Sequence, residues 1–164
     1  MQEDAATGQG DQAALAANSR LVQDFGLLIK AATRLEQHID ATLRRECGIS
    51  HTMLEVFIRL CREPGEKVFQ RQLADDLTLT SSGTTRLIDR MEEAALVRRV
   101  PSPEDRRSIL VEPTEHGRTV FVQAATVHSR VIERHFVTPV ARDDYPQLTG
   151  ALSDIIEALR GATG

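Results

Sequence analysis

Gln70-Arg71-Gln72-Leu73-Ala74-Asp75-Asp76-Leu77 and, after Thr78-Leu79-Thr80, Ser81-Ser82-Gly83-Thr84-Thr85-Arg86-Leu87-Ile88-Asp89-Arg90-Met91 form the stretch that decides the fold. Leu73, Ala74 and Leu77 share one face of a helix of barely two turns. Thr78-Leu79 reads as a turn. Thr80 or Ser81 can cap a second helix that turns Leu87, Ile88 and Met91 inward and runs to about Ala94. Leu96 to Val100 then reads as a strand and Ser108 to Glu112 as its return. Between them, Pro101-Ser102-Pro103-Glu104-Asp105 is expected to be irregular, because its two prolines bring no N–H. Helix, tight turn, helix and a hairpin with a charged tip make the layout of a winged helix-turn-helix.

The flanks read as helices. Leu21, Phe25, Leu28, Ile29, Ala32, Leu35, Ile39 and Leu43 recur at three- and four-residue steps, which predicts an amphipathic helix stopping near Gly48. Ser50 can cap the next helix, with Met53, Leu54, Phe57, Ile58 and Cys61 facing inward until Pro64-Gly65 ends it. Lys67-Val68-Phe69 is a short extended piece. Thr114 can cap a long helix carrying Val120, Phe121, Ala124, Val127, Val131 and Ile132. A last helix, from about Asp144 to Arg160, carries Leu148, Leu152, Ile155, Ile156 and Leu159, with Pro139 and Pro146 marking the break before it. Residues 1–19 show no sustained apolar period and are expected to be a flexible tail. The expected class is mainly α with a small β-hairpin (α+β). Residues 49–113 form the winged helix-turn-helix in this reading, and residues 20–48 and 114–164 form helical dimerisation regions.

Composition narrows the function. The 164 residues suffice for one domain with a buried core. With 41% hydrophobic and 27% charged residues the composition is globular, and no apolar run approaches the ~18 residues of a membrane helix. The acidic opening Met1-Gln2-Glu3-Asp4 leads into no apolar stretch, so a cytoplasmic protein without a secretory signal is expected. Cys47 and Cys61 are too few for a disulfide framework or a four-ligand zinc site. No glycine-rich phosphate loop or nucleophile elbow points to an enzyme, and no cofactor is expected. The net charge of −4 argues against general coating of nucleic acid but leaves room for a local basic site. Arg98, Arg99, Arg106 and Arg107 crowd into two short stretches of such a region.

The second helix of the motif can enter the major groove, which is wide enough to admit a helix. Ser81, Ser82, Thr84 and Thr85, with the free amides of the first turn, suit phosphate oxygens. Arg86 and Arg90 lie four apart on one face and can reach a phosphate or a guanine edge. Gly83 lets the DNA backbone approach closely, at a helix-propensity cost of ~1 kcal/mol. In the hairpin, Arg106 and Arg107 stand beyond a proline-stiffened loop, as minor-groove insertion requires. Asp105 is expected to orient Arg107 through a fork-like ion pair.

These residues resemble the MarR-type transcriptional regulators. The matching runs are Leu73 to Leu77, Ser81 to Glu92, Leu96 to Arg99, Pro103 to Ser108 and Thr114 to Arg118, in order and spacing over about residues 50–120. Three positions depart: Thr78 and Ala95, where glycine is common, and Pro113, where leucine is usual. If 78 and 95 are left-handed, these residues are strained. The resemblance implies a homodimer, with Leu21, Phe25, Leu148, Leu152, Ile155 and Ile156 as candidate interface residues. It implies double-stranded DNA as the partner, through a pseudo-palindromic operator. It also implies repression relieved by a small-molecule effector held between the dimerisation helices and the wing domain. Arg34, His38, His51 and Phe57 are candidates there, and Arg34 with His38 can hold an anionic aromatic acid.

Two other sensing chemistries compete with a small ligand. One is oxidation of Cys47, whose pKa Arg44 and Arg45 are expected to lower. The other is a metal site drawing on His116, His128 and His135. A winged helix that binds protein instead of DNA is the alternative of another class.

Overall fold

The computed structural model describes residues 11–77, 79–105 and 108–161. The chain divides into two compact units, one up to His38 and one from Ile39 onward. In the first unit, residues 11–17, inside the segment expected as a tail, are helical and exposed. Ser19 Oγ accepts the Val22 amide at 3.4 Å at the start of helix α1 (Arg20–Cys47). Along this part of α1, Leu21, Val22, Phe25, Leu27 and Ile29 are exposed.

The second unit holds the last turns of α1, then α2 (His51–Cys61), α3 (Gln70–Asp76) and α4 (Ser81–Glu93). Strands β1 (Val97–Pro101) and β2 (Ile109–Pro113) follow, then α5 (Glu115–Ile132), a π-turn over Glu133–Val137, and α6 (Tyr145–Gly161). Gly48, with φ 70°, supplies the left-handed residue that stops α1. Ser50 Oγ caps α2 by accepting the Met53 amide at 3.2 Å. Thr80 and Thr114 start α4 and α5 in the same way, accepting the Gly83 and Gly117 amides at 3.1 and 2.9 Å.

The two strands pair antiparallel, Val97 opposite Pro113 and Pro101 opposite Ile109. Pro101 therefore belongs to the ladder and not to the irregular loop in which it was expected. It occupies the last position of an edge strand, where no donor is required of it, and irregular backbone begins at Ser102. On the far side of β2, Phe69 bridges Leu110, and the Val111 amide donates to the Val68 carbonyl at 3.0 Å. The extended piece read at 67–69 is thus a third, short rung of the wing.

Leu43, Leu54, Phe57, Leu73, Ile88 and Met91 are wholly buried, and each contributes about 2 kcal/mol through the surface it withdraws from water. Phe57 stacks on Phe121 with centroids 5.7 Å apart, joining α2 to α5. Arg59 donates to both oxygens of Glu66 and to Asp76, each at 2.7 Å, and so ties α2 to the following loop and to α3. That triad fixes the approach to the helix-turn-helix. No helix among the described residues is long and apolar enough to cross a membrane.

Candidate nucleic-acid interface

Helix α4 has one face in the core and one in water. Thr84, Leu87, Ile88 and Met91 are buried, whereas Ser81, Ser82, Thr85, Arg86 and Arg90 are exposed. Thr84 corrects the sequence reading. It is 1% exposed and its hydroxyl donates back to the Thr80 carbonyl at 3.2 Å, so it faces the core and not a ligand. Its spacing carries that signal, because 84, 87, 88 and 91 share one helical face. Thr85 is exposed, but its hydroxyl already donates to the Ser81 carbonyl at 3.0 Å and accepts from Gln70 Nε2 at 3.2 Å. Gly83 is half-buried beside the cap. A Cβ there would stand 3.0 Å from Thr80 Oγ1, so the capping hydroxyl itself favours glycine.

The arginines divide sharply. Arg98 pairs across the hairpin with Glu112 at 2.7 Å. Arg99 donates to Asp89 at 2.6 Å, to Glu92 at 2.7 Å, to Gln70 Oε1 at 2.9 Å and to the Thr85 carbonyl at 3.3 Å. Burial works against its charge, yet the two carboxylates outweigh it and hold the Arg99 pKa above the ordinary value. Glu92 is held below its ordinary range, first by the Arg99 amide and then by the Arg99 guanidinium. Two cations crowded in sequence are therefore neutralised in the fold. Arg86 and Arg90, by contrast, form no ion pair among the described residues and line an open groove with Gly83 and Asp89.

An open cleft of about 420 Å³ adjoins this helix, lined in part by Gln70, Arg71, Ser81, Thr85 and Ser108. Arg71 is exposed and without an ion pair among the described residues, and sequence reasoning passed it over. Its position in the first turn of α3 was the available sign. Across the cleft the wing loop is knitted by two serines. Ser102 Oγ accepts the Glu104 and Asp105 amides at 3.3 and 3.4 Å, and the Ser102 amide donates to the Ser108 carbonyl at 3.0 Å. Ser108 Oγ donates to the Asp105 carboxylate at 2.8 Å. Arg106 and Arg107, and with them the expected pairing to Asp105, lie outside the described residues.

A family model described as MarR family matches residues 48–108, from the turn before α2 to the end of the wing loop. Among solved structures the chain is similar to AbsC, a MarR family transcriptional regulator from Streptomyces coelicolor. The TM-score is 0.79 and the identity 28%, over 87% of this chain and 97% of that one. The chain resembles the MarR family in sequence over residues 48–108 and in fold. It is also similar to Sco3205, a MarR family regulator of the same organism solved in complex with DNA, with TM-score 0.78 and 25% identity over 86% of this chain and 92% of that one. Among curated proteins it is 29% identical over 94 residues to the organic hydroperoxide resistance transcriptional regulator of Bacillus subtilis (strain 168). That alignment covers 57% of this chain and 62% of the relative, and the chain spans less than two thirds of the curated relatives it matches. The MarR-family relatives are transcriptional regulators, not enzymes.

The residues expected to serve sensing are placed as follows. Arg34 and His38 are exposed on α1 in the first unit. In the second, His51 is half-buried with its ring 5.4 Å from His128, whose pKa burial and then His51 push down. Phe57 is fully buried in the core. The expected acidification of Cys47 is overturned. Arg44 is engaged by Asp40 at 2.6 Å and Arg45 by Glu46 at 3.0 Å. Burial and the Glu46 charge raise the thiol against a smaller pull from Arg130, and burial raises Cys61 as well. Among the described residues no group of three or more His, Cys, Asp or Glu side chains gathers as a metal site.

Proposed function

We propose that the chain is a homodimeric, sequence-specific DNA-binding regulator that represses until a small ligand shifts the spacing of its two DNA grips. The carrying observation is the pair Arg86 and Arg90, exposed and unpaired among the described residues, while Arg98 and Arg99 beside them are neutralised. A helix with a fully packed inner face holds these two cations rigidly, which is what reading a groove requires. Ser81 and Arg71 at the neighbouring cleft, and the exposed Ser82 next in α4, suit the phosphate backbone. In this reading Arg106 and Arg107 serve the minor groove. The effector is a small anionic aromatic acid met by Arg34 and His38. His51 and Phe57 are engaged with His128 and Phe121 within the second unit.

The test selects duplexes from a random-sequence pool with the full chain and then titrates salt. A pseudo-palindromic consensus is expected, with affinity falling steeply as salt rises. Arg86→Ala is expected to weaken binding by ~1–3 kcal/mol and to lower the salt slope by about one. No enriched duplex and a flat salt response would sink the reading and favour a winged helix that binds protein.

A further inference from the structure

Asp89 lies three residues after Arg86 and one before Arg90, in the groove that all three share. A carboxylate three positions along a helix is a natural ion-pair partner. Yet Asp89 is turned to Arg99 at 2.6 Å, and Arg86 stays unpaired among the described residues. Arg99 also takes Glu92, Gln70 and the Thr85 carbonyl, and its own amide donates to Glu92 at 2.9 Å. Its side chain is 23% exposed, so it presents little surface to a partner of its own.

We propose that Arg99 is a positioning residue for DNA recognition: from the wing strand it holds Asp89 away from Arg86, leaving Arg86 free for nucleic acid. The inference rests on the DNA-binding reading above. Arg99 acts through Asp89 and touches no DNA. Its guanidinium suits the task because a rigid fork can serve two carboxylates and an amide at once, which a single ammonium cannot. Removing it would release Asp89 to Arg86, and the helix would lose a phosphate- or base-reading cation without losing its fold.

The experiment uses the full chain and the duplex that the wild type selects from a random pool, read by fluorescence anisotropy. Arg99→Ala is expected to lose affinity on the order of tenfold, the scale of one charge-assisted contact. Adding Asp89→Asn, which removes the competing carboxylate, is expected to restore most of that loss. In an Arg86→Ala background, Arg99→Ala is expected to cost little more, because both act on one interaction. Should Arg99→Ala fail to fold by circular dichroism, Arg99→Lys takes its place with the same expected loss and rescue. A purely stabilising Arg99 would lower the melting temperature without moving the affinity of the folded chain. Binding by Arg99→Ala within about twofold of wild type, or no rescue by Asp89→Asn, overturns the proposal and leaves DNA binding intact. A wild-type chain that selects no duplex overturns both.

Discussion

Ala95 has a φ of 54° because α4 ends in a left-handed turn: the Leu96 amide donates to the Met91 carbonyl at 2.8 Å and the Ala95 amide to Glu92 at 2.9 Å. A Cβ costs about 1–2 kcal/mol in that conformation, and glycine returns part of it as unfolded-state entropy. Ala95→Gly is therefore expected to stabilise the chain by about 1 kcal/mol in urea denaturation. No gain would mean that the turn relaxes its own strain. Gly117 makes the opposite case. A Cβ there would meet the Leu96 carbonyl oxygen at 1.9 Å, and the Thr114 that caps α5 also donates its hydroxyl to the Ala95 carbonyl at 2.6 Å. The helix start is pressed onto the chain leaving α4, so Gly117→Ala is expected to destabilise by at least about 2 kcal/mol. A melting temperature unchanged in that variant would show that the backbone can give way.

At the scale of elements, what could be read in advance was what is local. The caps at Ser50, Thr80 and Thr114 each need only a residue three positions on, and the inward faces of α2 and α4 follow from helical spacing. The wing hairpin was legible too, although Pro101 sits in its ladder. The state of the arginines was not. Arg98 is neutralised by Glu112, fourteen positions away, and Arg99 by Asp89, ten away; neither pairing exists until β1 meets β2 and α4. The reversal at Cys47 has a different origin: burial raises the thiol first and the Glu46 charge next, while Arg44 and Arg45 turn to the nearby Asp40 and Glu46. These pairings carry a pH dependence. Glu92, held down by Arg99, and Glu66, held down by Arg59, have folded pKa values below their ordinary 4.5. Their stabilisation is present above that value and fades as pH falls through the lower folded one. Glu92→Gln is thus expected to melt below wild type at pH 7, with the gap narrowing as pH falls below 4.5 through the lower folded value. A gap that persists in acid would assign the loss to packing instead.

At the scale of the whole molecule, large apolar side chains remain exposed on the flanking helices. Leu21 and Phe25 are 83% and 64% exposed, Ile155 and Ile156 are 48% and 53%, and α6 buries none of its side chains. Exposed apolar faces of this kind, on each of the two helices, mark association sites. A second copy covers them in the reading proposed above, because two-fold symmetry would also present the two α4 helices as paired grips for a pseudo-palindromic site. Burying one such side chain contributes about 1.5–3 kcal/mol, and symmetry counts it twice, giving about 3–6 kcal/mol per position. Phe25→Asp and Ile155→Asp are each expected to weaken the dimer by roughly two to four orders of magnitude, seen as monomer in sedimentation equilibrium at concentrations where wild type is dimeric. Both variants should lose operator affinity while keeping wild-type helicity, because each subunit retains its own α4 but loses its paired neighbour. If both variants sediment as stable dimers, the exposed faces of α1 and α6 serve some other contact, and the symmetric grip on DNA must be built elsewhere.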